Sequence, residues 1–246
     1  MIGNQIIYLD RVDSTNNYVA TLISEGKARH GMVILADTQT NGRGQRGSTW
    51  QSEDAKNLLL SFYLEHPDLE IIQQESLTHL VSISLSNTLT KFGIPNHIKW
   101  PNDILVGTKK IAGILIENQL RGSKIIASTI GIGINILQTT FDFKGSTSVS
   151  IESDSIISKE NFFSEFMKQL NELYPYLINK ELDKLKKLYL NKLWLLGIES
   201  TFESNGQIFK GSILGTDEYG RLLVEVKKEI KTFDLKEIKF SLRNEP

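Results

Sequence analysis

Two apolar runs of strand length, MVILA (32–36) and LLLSFYL (58–64), are separated by a polar stretch without a helical stripe. Each run is continuous, the pattern of a buried strand. Parallel neighbours need a crossover connection, normally a helix. The ten residues STWQSEDAKN that complete the gap have no apolar face to offer one. The stretch from Asp37 to Asn57 is also longer than a simple connection, and structureless segments of that length are usually functional.

Around this pair the chain alternates helical and strand texture. IIYLD (6–10) reads as a strand running into Asp13, Ser14 and Thr15, good N-cap residues ahead of Val19, Leu22 and Ile23; a short helix ending near Gly26 is expected. Between Ser76 and Phe92 the spacing of Leu77, Leu80, Val81, Leu85 and Leu89 predicts an amphipathic helix, closed by Gly93 and Pro95. HIKWPNDILV, KIAGILIEN and KIIASTIGIGIN supply further strands. Residues 138–158, rich in Ser, Thr and Asp, read as a surface connection, followed by helices around Phe162–Leu177 and Leu182–Leu193. From Gly197 short strands alternate with turns at Asn205-Gly206, Glu218 to Gly220 and Lys227 to Glu229, as in a five-strand SH3-like barrel. The fold class is therefore α/β (α+β), a mixed sheet backed by helices, with residues 1–196 as the main domain and 197–246 as a small β-barrel.

Composition narrows the function. With 246 residues, 40% hydrophobic and 23% charged, the chain can bury a real core and is not a disordered sequence. No apolar run approaches the length of a membrane span, and MIGNQIIYLDRVDSTNN lacks the layout of a signal peptide, so a cytoplasmic protein is expected. Zero cysteines exclude disulfides, thiolate metal sites and cysteine nucleophiles. A formal charge of -1 gives no general attraction for nucleic acid.

Within the long polar stretch, GRGQRG (42–47) matches the G-x-G-x-x-G pattern of dinucleotide-binding loops, and Glu65 lies near where a ribose-binding acid would be. The helix that should follow is missing, so the NAD reading fails on context. A flexible surface loop is the plain alternative. Against it, Arg43 and Arg46 flank glycines that allow close backbone approach, the combination wanted for an anion, and Trp50 adds a flat face for a base. KWPNDI (99–104) places Lys99, Asn102 and Asp103 at an irregular strand end, where a simple turn is the competing reading. KKIAGILIEN puts Lys110 at a strand start with Gly113 three further on, and GIGIN (131–135) ends a buried strand in the amide of Asn135.

Taken in order, DSTNN (13–17), QTNGRGQRGSTW (39–50), KWPNDI, KIAGILIE (110–117) and GIGIN resemble the biotin protein ligases, over essentially the whole chain. The resemblance implies a catalytic fold related to class II aminoacyl-tRNA synthetases and lipoate ligases. It also implies a two-step reaction. Biotin's carboxylate attacks the α-phosphate of ATP, giving biotinyl-5'-AMP and pyrophosphate, and a lysine of a biotin carboxyl carrier protein then takes the biotinyl group. Magnesium would accompany ATP.

The resemblance assigns biotin binding to Ser14, Thr15, Asn16, Gln39, Gly42, Arg43, Gly44, Gln45, Lys110 and Gly113. Hydroxyl and amide side chains can both donate to and accept from a ureido ring. ATP or adenylate contacts fall to Arg46, Trp50, Lys99, Asn102 and Asn135, and catalytic roles to Lys110, Arg43, Arg46 and Asp103, the last toward the incoming lysine amine. Better-known members carry an arginine where this chain has Gln45, and more basic residues where it has Ser48 and Thr49. Retention of the adenylate should then rest on Arg43, Arg46 and Lys110. With the first strand expected at about residue 5, no DNA-binding domain and no DNA partner are expected. Homodimer and monomer are equally open. The rivals are a lipoate or octanoate ligase and a non-catalytic nucleic-acid module.

Overall fold

The computed structural model describes residues 1–240, and of Arg46 the backbone only. Strand β1 (Gln5–Val12), helix α1 (Thr15–Ser24) and strand β2 (Met32–Gln39) form a parallel crossover unit, with Gln5 registered on Met32. After the long loop, β3 (Leu58–Glu70) lies antiparallel to β2, as the lack of an intervening helix requires. Helix α2 (Glu75–Lys91) leads to β4 (His97–Lys99), β5 (Asp103–Val106), β6 (Lys109–Arg121) and β7 (Lys124–Ile134). The seven strands run in the order β1-β2-β3-β7-β6-β5-β4, and the single parallel pair makes the sheet mixed. Helices α3 (Val149–Glu152), α4 (Lys159–Ile178) and α5 (Leu182–Leu190) follow.

The two faces of the sheet carry different loads. On β2 the alternation of the pleat sends Val33 and Leu35 into the large core beneath α2 and α4, while Met32 and Ile34 face α1 with Val19, Tyr63 and Ala127. Leu60, Phe62 and Leu64 are fully buried on the large-core side, each contributing about 1.5–3 kcal/mol of transfer free energy. The α1 face is covered by one short helix only, which leaves part of it open as a cleft.

The last strands, β8 (Glu199–Ser204), β9 (Gln207–Thr216), β10 (Leu222–Val226), β11 (Glu229–Phe233) and β12 (Lys239–Phe240), form a separate sheet in the order β11-β10-β9-β8-β12. Its hairpins turn where expected: Asn205 and Gly206 both have positive φ, as do Lys227 and Lys228. The expected C-terminal unit extends to 246, and its residues 241–246 lie outside the described residues. Trp100 donates its indole N–H to the Gly220 carbonyl at 2.9 Å, and Phe202 and Ile213 belong to the same apolar cluster as Phe62. Among the described residues no helix is long and apolar enough to cross a membrane.

Three sequence expectations change. Helix α2 is not amphipathic in use, since Ser82, Ser84, Ser86 and Thr88 are as buried as its leucines. Ser84 and Thr88 donate to the carbonyls of Leu80 and Ser84 one turn back, which lets small hydroxyls enter a core. Residues 138–158 are not merely a surface connection: Thr147, Ser148 and Val149 are buried, and Thr147 N donates to the Lys110 carbonyl. Helix α5 ends at Leu190, three residues before the expected limit, because Trp194 N–H turns to pair with the Ile98 carbonyl.

Candidate active site

The cleft starts at the N-terminus of α1. Ser14 occupies the N-cap position, yet its hydroxyl makes no cap bond. Gln39, at the end of β2, caps the helix instead: its Oε1 accepts from Thr15 N at 2.8 Å and from Thr15 Oγ1 at 3.0 Å. Ser14 is thereby left to face the cavity, although it is only 2% exposed. Ser61 Oγ lies 2.6 Å from both Thr15 Oγ1 and Asn16 Oδ1, so three buried polar side chains are fixed in one row.

The floor is built from the glycines of GIGIN. In a strand successive residues face opposite sides, so Ile130, Ile132 and Ile134 enter the core while Gly131 and Gly133 face the cleft. A Cβ on Gly131 would stand 2.2 Å from Asn16 Oδ1, and one on Gly133 would stand 2.3 Å from the Trp50 ring. Gly113, registered on Gly133, completes the slot on which the indole lies. Any side chain at these positions would displace Asn16 or Trp50.

Lys110 reaches this face through a β-bulge. Ile104 pairs with Ala112 but Leu105 pairs with Lys110, so Ile111 is the extra residue. Strict alternation from Gly113 would send Lys110 to the opposite face; the bulge reverses it. Lys110 Nζ meets Asp103 Oδ1 at 2.6 Å and sits 5.4 Å from the Trp50 ring centroid. The bulge is held from behind, where Asn135 N donates to the Ile111 carbonyl and Lys110 N to the Gly145 carbonyl.

The glycine-rich loop closes the cleft from above. Trp50 N donates to the Gly42 carbonyl and Gly44 N to the Ser48 carbonyl, folding residues 42–50 back on themselves. Arg43 pairs with Glu117 Oε2 at 2.5 Å. Arg43 also adds its charge to the main cause, an Asn17 hydrogen bond, that holds the Asp13 carboxyl below its ordinary pKa. At the loop's far end the buried Asn57 accepts from Ile136 N and donates to Gln138 Oε1 and Ser52 Oγ.

The resulting cavity, of about 200 Å³, is lined by Ser14, Thr15, Asn16, Gln39, Arg43, Gly44, Gln45, Trp50, Asn102, Asp103, Lys110 and Gly113, all singled out from the sequence. Asn102 faces it while its amide donates to the Ile114 carbonyl at 2.7 Å, fixing the turn. Gly42 lies just behind the wall, against the Trp50 backbone and the Gln39 amide. The Arg46 side chain lies outside the described residues.

Two residues expected to contact the nucleotide do not line this cavity. Asn135 is 4% exposed and gives its amide to the Thr147 carbonyl at 2.9 Å, because it is needed to anchor the segment behind Lys110. Lys99 is off the cavity wall, with its ammonium 5.3 Å from the Phe240 ring centroid; burial lowers its pKa, opposed in part by Asp103. Three residues that sequence reading passed over matter to the geometry: Glu117, Ser61 and Asn57. Glu117 and Ser61 share the cleft's face of the sheet with Gly113 and Gly131, a parity that alternation carries once the face is known.

Comparison with known proteins decides the family. The model of the biotin/lipoate A/B protein ligase family matches residues 8–135, just over half the chain. The bifunctional ligase/repressor BirA of Bacillus spizizenii is 30% identical over 237 residues, covering 94% of this chain and 72% of that protein. The chain belongs to the biotin/lipoate A/B protein ligase family. A biotin--[acetyl-CoA-carboxylase] ligase of Paracoccus denitrificans is 34% identical over 131 residues, covering 52% of this chain and 53% of that protein. Among solved structures, the biotin protein ligase of Aquifex aeolicus in complex with biotin and ATP superposes with a TM-score of 0.78 at 26% identity, covering 97% of this chain and all of that one. The mixed sheet backed by helices is thus the fold of biotin protein ligases, and the chain is a ligase by descent.

Proposed function

We propose that this chain condenses biotin with ATP to biotinyl-5'-AMP and passes the biotinyl group to a lysine of a carboxyl carrier protein, that of acetyl-CoA carboxylase or a related carboxylase. The observation that carries this reading is one cavity holding both halves of the task. Neutral hydroxyls and amides (Ser14, Thr15, Asn16, Gln39) line one end, and a carboxylate-held cation, Lys110, stands at the other. A uncharged ring with N–H donors and a carbonyl suits the first end, and a carboxylate meeting a phosphate suits the second.

In the first step a biotin carboxylate oxygen forms a bond to the α-phosphorus, and the bond from that phosphorus to pyrophosphate breaks. Two anions approach each other, so the contribution asked of the protein is fixed positive charge and fixed geometry. Lys110 and Arg43 supply the charge, and each is already held by a carboxylate, Asp103 or Glu117. Trp50, on its glycine floor, is the flat wall of the slot, and Arg46 is the further phosphate ligand. In the second step the acceptor amine attacks the acyl carbon and AMP leaves with both electrons of the broken bond.

Among the described residues no group of three or more His, Asp or Glu stands ready to hold a metal ion. Magnesium would enter on the phosphates of ATP as part of the substrate. The relatives' names, which cover ligases of acetyl-CoA carboxylase, support the carrier protein as acceptor. The C-terminal sheet is read as an appended SH3-like unit whose contacts with Trp100 place it beside the KWPNDI turn. Pyrophosphate–ATP exchange tests the reading: exchange that requires biotin supports it, and exchange supported by lipoate but not biotin replaces it with the lipoate branch.

A further inference from the structure

The turn that carries Asn102 and Asp103 is gripped from the C-terminal sheet at the two residues before Pro101. Lys99, at the end of β4, has its ammonium 5.3 Å from the ring centroid of Phe240 in β12. Trp100, 4% exposed, donates its indole N–H to the Gly220 carbonyl at 2.9 Å. Gly220 belongs to the turn between β9 and β10, and one side chain organises that turn. Asp217 Oδ1 accepts from Tyr219 N and from Arg221 N, both at 2.9 Å, while Oδ2 accepts from Arg221 Nε at 2.8 Å. Gly220 itself has a φ of +80°, which glycine adopts without strain, and its N–H donates to the Asp217 carbonyl at 3.2 Å.

On its other side the same segment is latched to β6. Ile114 N donates to the Asn102 carbonyl at 3.0 Å, and Asn102 Nδ2 donates back to the Ile114 carbonyl at 2.7 Å. The next residue, Asp103, holds Lys110 Nζ at 2.6 Å. A run of five residues, Lys99 to Asp103, therefore joins the C-terminal sheet to the ammonium in the cleft. We propose that Trp100 and Asp217 are positioning residues through which the C-terminal sheet aims the Asn102–Asp103 turn and, with it, Lys110. Neither lines the cleft cavity, so neither can act on a ligand there except through the turn. The kinetic consequence rests on the proposed function; the mechanical link from Asp217 to Ile114 does not. Aim matters because a displacement of about 1 Å at a reacting centre can cost on the order of a hundredfold in rate.

Hydrogen exchange of the Ile114 amide tests the link directly, with the Leu60 amide at the centre of the main sheet as the reference for overall stability. Trp100→Phe removes the donor to Gly220, and Asp217→Ala leaves Trp100 intact while unmaking the turn that presents that carbonyl. In each variant Ile114 should exchange roughly 3- to 10-fold faster relative to Leu60, the range of one neutral hydrogen bond. Should Trp100→Phe fail to fold, Asp217→Ala decides alone, and an unchanged Ile114-to-Leu60 ratio in it would overturn the proposal. In biotin-dependent pyrophosphate–ATP exchange, Asp217→Ala should lower kcat roughly 3- to 10-fold while KM for biotin stays within about twofold. Added to Lys110→Ala it should cost nothing further, because both changes act on one group. A rise in KM at unchanged kcat, or a full multiplicative loss in the double variant, would contradict action through Lys110. Absence of biotin-dependent exchange in the unaltered chain would remove the functional reading, and the Ile114 measurement would still decide the positioning by itself.

Discussion

Asp103 Oδ1 lies 2.6 Å from Lys110 Nζ, across the bulge that turns Lys110 onto the cleft. Under the proposed function, the pair fixes the ammonium that stabilises the meeting of carboxylate and phosphate. Lys110→Ala should lower the rate of biotin-dependent pyrophosphate exchange about 10²- to 10³-fold, the usual effect of removing one fixed charge stabiliser. Asp103→Asn should cost about tenfold through loss of aim. The double variant should be no slower than Lys110→Ala; a fully multiplicative loss would show that Asp103 acts independently of Lys110.

The glycine floor gives a second expectation. Gly131→Ala places a methyl group 2.2 Å from Asn16 Oδ1, and Gly133→Ala places one 2.3 Å from the indole of Trp50. Neither neighbour can stay where it is. Overpacking of this kind costs about 1–3 kcal/mol, and KM for biotin should rise in both variants. Tryptophan fluorescence should shift in Gly133→Ala through Trp50, and an unaltered spectrum with unaltered KM would contradict the slot described.

Asn57 pins the base of the loop with three hydrogen bonds while only 1% exposed. Asn57→Ala strands the Ile136 N–H and leaves the Gln138 amide oxygen with Glu53 N as its donor. Chemical denaturation should report a loss of about 1–3 kcal/mol, the cost of an unpaired buried polar group. A loss below about 0.5 kcal/mol, the scale of surface substitutions, would mean that other groups take over these partners.

Stability should fall with acid in a window set by the buried histidines. Burial, with His30 adding to it, pulls the pKa of His66 from 6.5 to about 4, and its Nε2 lies 2.9 Å from Ser128 Oγ. The unfolded chain therefore takes up a proton that the native chain refuses between those values. The contribution is complete above pH 6.5 and is lost as pH falls to about 4. His79, lowered to about 3 by burial, acts in the same direction; Glu75 beside it, raised by its own burial, acts in the opposite one. Urea midpoints at pH 7.5 and 5.0 should drop more in the unaltered chain than in His66→Gln. Equal drops would show that His66 does not titrate in this window.

The sequence carried much of this site because most of the chemistry sits in short strings whose positions converge. Ser14, Thr15, Asn16, Gln39 and Lys110 come from a helix start, a strand end and a strand start that all face one cleft. What it did not carry depends on three-dimensional register. The bulge at Ile111 has no signature in KKIAGILIEN, and without it Lys110 counts onto the wrong face. Asn135, at the end of GIGIN, looks free for a nucleotide until the segment around Thr147 is seen to fold back and claim its amide. Glu117 reads as an ordinary polar residue in a strand, and only the arrival of Asn16 and Arg43 from 101 and 74 residues away gives it a role. The burial of α2 on its serine face was hidden by small hydroxyl residues, of which Ser84 and Thr88 satisfy their hydroxyls within the helix.

Intact-mass analysis of a purified carboxyl carrier domain after incubation with the chain, biotin and MgATP tests the central claim most directly. The account predicts one biotinyl group on one lysine of the carrier, with the product lost when Lys110→Ala replaces the unaltered chain. An unmodified carrier under conditions where the unaltered chain is folded, or a carrier that accepts a lipoyl group instead, would contradict it.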